Sequence, residues 1–287
     1  MNQKKIIVLG DGFISQNITS YLSNTSYEID LIDRKKCDFL DKKSVSILFK
    51  SFTPSSIFII PVGITRLVAC DKYSYEKNIQ IIENISRALP NDTKQVIFLS
   101  TIDVYGINST IPINELNKTN PYCYYSKAKL ISEDILKKES NLKGFNLVIL
   151  RLSGSYGQGD SKGSTLHRLV SSAISSGIIS LTCNPNIERD FISSNDVARI
   201  TKQAISNNIA GVFNVATGNS HSILTISESI FSLLGLKRNI KIHMGPYEQL
   251  AFKIKFDTQY LLNNFNNFKM TTLDDGLKTY INNFFRR

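Results

Sequence analysis

Short apolar runs alternate with helical repeats through the first half of the chain, and this alternation restricts the fold more than any other feature. KIIVLG (5–10) reads as a buried strand, and YEIDLID (27–33), SIFIIPV (56–62), QVIFLS (95–100) and NLVILRL (146–152) read as further strands. Between them, FISQNITSYLSN (13–24), KSVSILFKSF (43–52) and YEKNIQIIENISRAL (75–89) carry apolar residues at helical spacing. In the first of these, Phe13, Ile14, Ile18, Tyr21 and Leu22 fall on one face. Repeated strand–helix–strand units predict an α/β, Rossmann-like doubly wound parallel sheet with helices on both faces. Near residue 155 the texture changes, and the Gly/Ser-rich SGSYGQGDSKGS (153–164) reads as a loop. A helix over 165–176, a turn at CNPN (183–186), RDFISSNDVARITKQAIS (189–206), GVFNVAT (211–217) and a mixed C-terminal region follow. The expected organisation is a large domain over 1–155, to which 191–217 returns, and a smaller C-terminal α/β substrate-binding region over 156–287.

Composition narrows the partners. With 287 residues, 42% of them hydrophobic, the chain has enough apolar mass for real cores. The net charge of +10 comes from scattered lysines, in a chain crowded with Lys, Asn, Ile and Ser. That pattern reads as compositional bias, with a phosphorylated small molecule as the functional alternative; a nucleic acid partner is not expected. Cys37, Cys70, Cys123 and Cys183 form no CxxC pair, so reduced thiols in the cytoplasm are expected. His167, His221 and His243 make no ligand-spaced cluster, so no metal is expected. The apolar run in MNQKKIIVLGDG breaks too soon for a signal peptide, and no segment approaches a membrane span.

VLGDGFISQNI follows the first strand and opens the first helix. Gly10 and Gly12 allow a tight turn and close approach to a pyrophosphate, and the helix N-terminus adds N–H donors. Ser15 stands at the third position of G-x-G-x-x-G. The position predicts dinucleotide binding, which makes 1–155 the NAD(P)-binding domain. Asp33 ends the second strand, about 20 residues after the glycines, where a carboxylate accepts from ribose hydroxyls and repels a 2′-phosphate. It favours NAD; Arg34, which follows at once, keeps NADP as the alternative.

In NPYCYYSKAKLISEDIL (120–136), Tyr125 and Lys129 are four apart and share a helix face, whereas Tyr122 and Tyr124 have Ser126 and Ala128 at that spacing. A tyrosine hydroxyl titrates near 10 in water, and a nearby ammonium stabilises its phenolate. Spacing alone leaves a core anchor as the other reading.

Several motifs in order resemble the extended short-chain dehydrogenase/reductases of the NAD-dependent epimerase/dehydratase family. GDGFIS resembles the family's glycine loop, CDFLD (37–41) the G-D-L-x-D after its third strand, and STIDVYG (100–106) its S-[ST]-x-x-V-Y-G strand end. YSKAKLISE (125–133) resembles Y-G-x-S-K-x-x-x-E, which sets the register on Tyr125, Lys129 and Glu133. LRLSGSYGQGD (150–160), RDFISSNDVA (189–198), GVFNVATGNSHSI (211–223) and LDDGLKTYI (273–281) resemble later family motifs.

The resemblance implies that Gly10, Gly12, Phe13, Ile14, Asp33, Arg34, Asp38 and Lys129 line the cofactor, with Asp38 at the adenine. It implies Tyr125 as the acid–base group, Lys129 holding the nicotinamide ribose and lowering the Tyr125 pKa, and Thr101 hydrogen-bonding the same sugar oxygen. Arg189 would pair with the diphosphate of a nucleotide-diphosphate sugar; its bland alternative is an ion pair with Asp190. Tyr105 is a packing residue in this reading. The resemblance also implies a homodimer built from the 75–89 and 125–138 helices.

Three departures bear on chemistry. Ile102 and Asp103 occupy the Asp–Glu positions that perform elimination in the family's dehydratases, which argues against dehydration. Gly154 replaces a substrate-binding asparagine, and Pro61-Val62-Gly63 replaces a small Ala-Ala. The expected activity is nucleotide-sugar 4-epimerisation with NAD. The alternatives are reduction of a 4-keto-6-deoxysugar in polysaccharide sugar biosynthesis and a non-catalytic NAD(P)-binding sensor. The sensor reading is disfavoured because Thr101, Tyr125 and Lys129 are all present in register.

Overall fold

The computed structural model describes residues 5–107, 109–243 and 253–285. The first half runs β1 (Lys5–Leu9), α1 (Phe13–Leu22), β2 (Glu28–Ile32), α2 (Lys42–Phe49), β3 (Ile57–Ile60), α3 (Lys72–Ala88), β4 (Gln95–Thr101), a 3-10 turn (Ile102–Tyr105), α4 (Tyr124–Lys143) and β5 (Asn146–Leu152). The second half runs β6 (Gly154–Tyr156), α5 (Thr165–Ser176), β7 (Ile179–Leu181), β8 (Glu188–Arg189), β9 (Phe191–Ser193), α6 (Ser194–Ser206) and β10 (Gly211–Val215). It ends with β11 (His221–Ser222), α7 (Ile223–Leu234), β12 (Ile240–Ile242), α8 (Gln259–Asn264) and α9 (Leu273–Phe284).

The main sheet is six-stranded and parallel, in the order β10-β5-β4-β3-β1-β2. From β1 the chain moves outward to β2 and then crosses back to β3 on the other side. Such a reversal opens a crevice at the carboxyl ends of the strands, because the two connections leave the sheet in opposite directions. β1 and β3 are almost wholly apolar and buried because both faces of the sheet are covered, whereas the edge strand β2 carries the exposed Glu28. Ile6 and Val8 face a core shared with Ile18 and Leu22 of α1, whereas Ile7 and Leu9 face one shared with Phe49 and Ile85. The doubly wound fold expected from the alternation is therefore present.

Polar residues set the helix starts. Asp41 accepts from the N–H groups of Lys43 and Ser44 at the head of α2. At α3, the Asp71 side chain accepts from the Ser74 N–H and the Ser74 hydroxyl returns to the Asp71 N–H, so the helix begins at Lys72, ahead of the expected 75. CDFLD (37–41) resembles a motif that follows the third strand in the family; here, among the described residues, no strand lies between β2 and α2. The motif follows β2 directly because the Asp33 turn leads straight to the Asp41 cap.

The later part contributes to both regions. β10 pairs with β5, and Ile200 and Ala204 of α6 share a core with Ile18 of α1. Leu261, Phe265 and Phe268, in and just after α8, join that same core, with the Phe265 ring edge-on to Phe213 at 5.2 Å. A segment expected mainly in the substrate region thus also closes the main sheet. A separate core gathers Leu166 and Val170 of α5, Ile226 and Ile230 of α7, and Leu277 and Ile281 of α9. Asp160 ties α9 to it, accepting from the Tyr280 hydroxyl at 2.6 Å and the Ser164 hydroxyl at 2.8 Å.

Candidate active site

The crevice begins at the turn after β1. Gly10 has φ +100°, a left-handed conformation, and a Cβ there would stand 3.2 Å from Val62 Cβ. Its N–H donates to Ile32 O at 2.7 Å, which joins the ends of β1 and β2. At Gly12 a Cβ would meet no atom within 4 Å, so the backbone there faces open space at the head of α1. Ser15 is buried, and its small side chain is accommodated where a glycine was expected. A glycine forced left-handed, an open backbone and free helix-terminal amides fit the pyrophosphate of a dinucleotide.

Asp33 stands at the end of β2, where its Oδ1 accepts from the N–H groups of Lys35 at 3.0 Å and Lys36 at 2.9 Å. It is therefore a turn aspartate, and among the described residues its Oδ2 takes no hydrogen bond. Arg34 beside it is exposed, as is Asp38, whose Oδ1 accepts from the Leu40 N–H at 2.9 Å. Phe13 reaches under the loop after β6: a Cβ on Gly157 would lie 3.6 Å from its ring.

Thr101 ends β4, nearly buried, and its Oγ1 accepts from the Asp103 N–H at 3.2 Å. The hydroxyl keeps its own proton for donation. Tyr125 lies in the first turn of α4, and Lys129 one turn further is buried. The Lys129 Nζ donates to Leu99 O on β4 at 2.8 Å, which fixes the helix against the strand end. Burial pushes the Lys129 ammonium down to about 8, with Glu133 opposing the fall. Burial pushes the Tyr125 hydroxyl up, the Asp103 carboxylate pushes it further, and Arg66 pulls it down. The lowering of Tyr125 expected from Lys129 is not the prevailing influence here, because burial is the largest one. Tyr122, Tyr124 and Lys127 are exposed, with Tyr124 packed against Tyr75.

Behind Lys129 lies a buried polar network. Glu133 accepts from Arg151 Nε at 3.0 Å and Nη2 at 2.7 Å, and from the Ser100 hydroxyl at 2.5 Å. Arg151 Nη1 donates to the Tyr105 hydroxyl at 2.8 Å, and that hydroxyl donates to Asn214 Oδ1 at 2.7 Å. Tyr105 is accordingly a packed network member facing away from the crevice.

Arg189, on β8, does not pair with Asp190. That carboxylate is taken by the Thr217 N–H at 2.9 Å, the Gly218 N–H at 2.9 Å, and the hydroxyls of Thr217 at 3.0 Å and Ser153 at 3.2 Å. Among the described residues no carboxylate lies in ion-pair range of Arg189. Loss of solvent around its guanidinium, followed by the charge of Arg66, lowers the Arg189 pKa. Sequence reasoning missed Arg66 altogether. It stands in the loop between β3 and α3, with Nη1 at 2.7 Å from Asp103 Oδ2. Asn78 holds that loop, accepting from the Ile64 N–H at 2.7 Å and donating to Ile64 O at 2.9 Å. Its position at the carboxyl end of a strand beside the chain reversal was the available signal.

Gly154 also has a physical reason. It pairs with Phe191 across β6 and β9, and a Cβ there would stand 2.9 Å from the Phe191 ring and 3.2 Å from Asp190 O. Gly154→Asn is expected to destabilise the fold by about 2 kcal/mol through overpacking. A urea midpoint equal to that of the parent would show that the ring moves aside freely.

The chain resembles known proteins along most of its length. It is 24% identical over 276 residues to a provisionally named UDP-glucose 4-epimerase of Methanocaldococcus jannaschii, covering 88% of this chain and 89% of that protein. It is 25% identical over 263 residues to the GDP-6-deoxy-D-talose 4-dehydrogenase of Aggregatibacter actinomycetemcomitans, covering 88% and 85%. In structure it matches the UDP-glucose 4-epimerase of Thermotoga maritima, solved with UDP-glucose, with a TM-score of 0.88 at 18% identity over 98% and 99% of the two chains. The last likeness is one of fold. Residues 6–216 match the model of the NAD dependent epimerase/dehydratase family, and the chain belongs to that family.

Proposed function

We propose that the protein is a cytoplasmic nucleotide-sugar 4-epimerase, oxidising and re-reducing C4 of a nucleotide-diphosphate sugar. Family membership makes a nicotinamide dinucleotide the cofactor. The observation that best supports the reading is the anchoring of α4 on the end of β4: Lys129 donates to Leu99 O, two residues before Thr101, and Tyr125 lies one turn before Lys129. When bound, the nicotinamide supplies reversible acceptance of hydride. The Tyr125 oxygen takes the proton of the C4 hydroxyl as the C4–H bond breaks and returns it when that bond re-forms. Thr101 donates to the same sugar oxygen. Lys129 contributes positive charge one turn along α4 from the phenol, and Arg189, which among the described residues pairs with no carboxylate, offers its guanidinium to the diphosphate.

The relatives include both an epimerase and a 4-dehydrogenase, so the test must separate the two. Purified protein is incubated with UDP-, dTDP- and GDP-sugars and with their 4-keto-6-deoxy derivatives. An epimer formed without net consumption of reduced cofactor supports the proposal. Stoichiometric consumption with a 4-keto sugar replaces it by a reductase, and no turnover with any of them removes both.

Two further results are expected. Asp33→Ser removes the carboxylate that repels a 2′-phosphate while keeping Arg34, and should move the NADPH-to-NADH affinity ratio by about tenfold toward NADPH. Fluorescence titration checks this, and an unchanged ratio would contradict it. Lys129 is charged below its pKa of about 8 and neutral above it, so activity should fall through that range as pH rises. Lys129→Arg, which cannot lose its charge there, should move this alkaline limb upward. We also place a homodimer on the outer faces of α3 and α4, where Tyr73, Tyr124 and Leu142 are exposed; a monomer by light scattering would exclude it.

A further inference from the structure

We infer that Arg66 is a positioning residue for Tyr125: its ion pair with Asp103 cancels a carboxylate standing beside the phenol and holds the loop between β3 and α3 over the site. The inference rests on the proposed role of Tyr125 and goes beyond it. The geometry is specific. Asp103 follows Thr101 by two residues, in the turn that the Thr101 hydroxyl caps, so the carboxylate cannot be moved without disturbing the end of β4. Arg66 comes from a different element, reaches Asp103 Oδ2 at 2.7 Å, and lies 3.5 Å from the Tyr122 hydroxyl. The Arg66 side chain is 49% exposed and that of Asp103 19%, so the pair sits at the mouth of the crevice and not in the core. A surface ion pair contributes little to stability, which leaves its charge pattern as the consequential property.

The charged and titratable groups facing Tyr125 come from three directions. Asp103 stands on the turn after β4, Arg66 on the loop after β3, and Cys123 at the head of the tyrosine's own helix. Asp103 opposes phenolate formation and Arg66 favours it. Lys129, one turn along α4, is committed to Leu99 O. Without Arg66 the Asp103 carboxylate would lose its ion-pair partner, and the phenolate would form against it with only the Lys129 ammonium to compensate. Arg66 also faces Arg189 across the same opening, so the two guanidiniums leave a net positive mouth around one carboxylate. That arrangement suits an incoming diphosphate.

The test is a charge-neutralisation cycle read by pH profile. Turnover of the nucleotide sugar accepted by the parent is measured from acid to alkaline pH for Arg66→Leu, Asp103→Asn, the double variant and Arg66→Lys. Arg66→Leu should move the acid limb of kcat upward by about one pH unit, a loss of about tenfold on the acid side. Asp103→Asn should move it downward, the double variant should return toward the parent, and Arg66→Lys should restore most of the loss. A purely structural Arg66 would leave the limb in place and make the double variant no better than Arg66→Leu; either result overturns the inference.

A second readout does not depend on turnover. With ring-labelled tyrosine, the resonance assigned to Tyr125 by its loss in Tyr125→Phe is titrated in NAD-saturated protein. It should titrate higher in Arg66→Leu and lower in Asp103→Asn. If the parent turns over no nucleotide sugar, the proposed function fails by itself, and this resonance still decides the role of Arg66: an unmoved midpoint in folded Arg66→Leu rejects it.

Discussion

Tyr125→Phe should lower kcat by about 10³-fold and leave NAD affinity within about twofold of the parent, since the missing group moves a proton but does not hold the dinucleotide. The comparison variant is Tyr124→Phe. Tyr124 is exposed and packs on Tyr75 at 5.8 Å, so its loss should leave kcat within about twofold. Steady-state kinetics on the two variants, with NADH titration of each, checks both statements. Equal losses would show that register within the tyrosine cluster does not determine the chemistry.

The largest effect on stability is expected at Arg151. Its guanidinium is bidentate to Glu133, a carboxylate with 0% side-chain exposure. Arg151→Ala leaves that charge buried and supported mainly by the Ser100 hydroxyl, because Lys137 lies at 3.8 Å and is 42% exposed. Removing one partner of a buried pair typically costs about 3–5 kcal/mol. The double replacement Arg151→Met with Glu133→Leu removes both charges and should recover most of the loss. Urea unfolding of the three proteins checks this. A single-variant loss below about 1 kcal/mol would mean that water reaches Glu133. The effect should extend to function, because Glu133 is one turn from Lys129 and raises its pKa.

Much of the fold was legible because its determinants are local. Strands buried on both faces read as apolar runs, and α5 occupies the expected 165–176 because Ser164 caps it and Gly177, left-handed at φ +64°, ends it. The turn at Gly10 was legible for the same reason. Contacts between distant segments were not. The return of α8 to the main sheet depends on Phe265 meeting Phe213, and no periodicity within either segment states that they touch. The fate of Asp190 was hidden similarly: its four partners lie at positions 153, 217 and 218.

The candidate site divides along the same line. The placing of Tyr125 and Lys129 one turn apart on α4 was legible from helical spacing, and that of Asp33 just after β2 from the apolar run before it. Arg66 was not, since a lone arginine in a loop has no spacing to read, and it acquires meaning only when the loop after β3 is seen against the turn after β4. The anchoring of Lys129 on the Leu99 carbonyl was equally invisible, because it depends on how closely α4 approaches β4.

The central claim is that C4 of a nucleotide sugar exchanges hydride with a bound nicotinamide while Tyr125 exchanges the proton. It is tested most directly with a nucleotide sugar deuterated at C4, incubated with the NAD-loaded protein and followed by mass spectrometry and by absorbance in the reduced-nicotinamide band. The account predicts an epimerised product that retains deuterium at C4, with transient reduced nicotinamide in the parent and none in Tyr125→Phe. Loss of the label to solvent, or no conversion of any C4-deuterated UDP-, dTDP- or GDP-sugar, would contradict it.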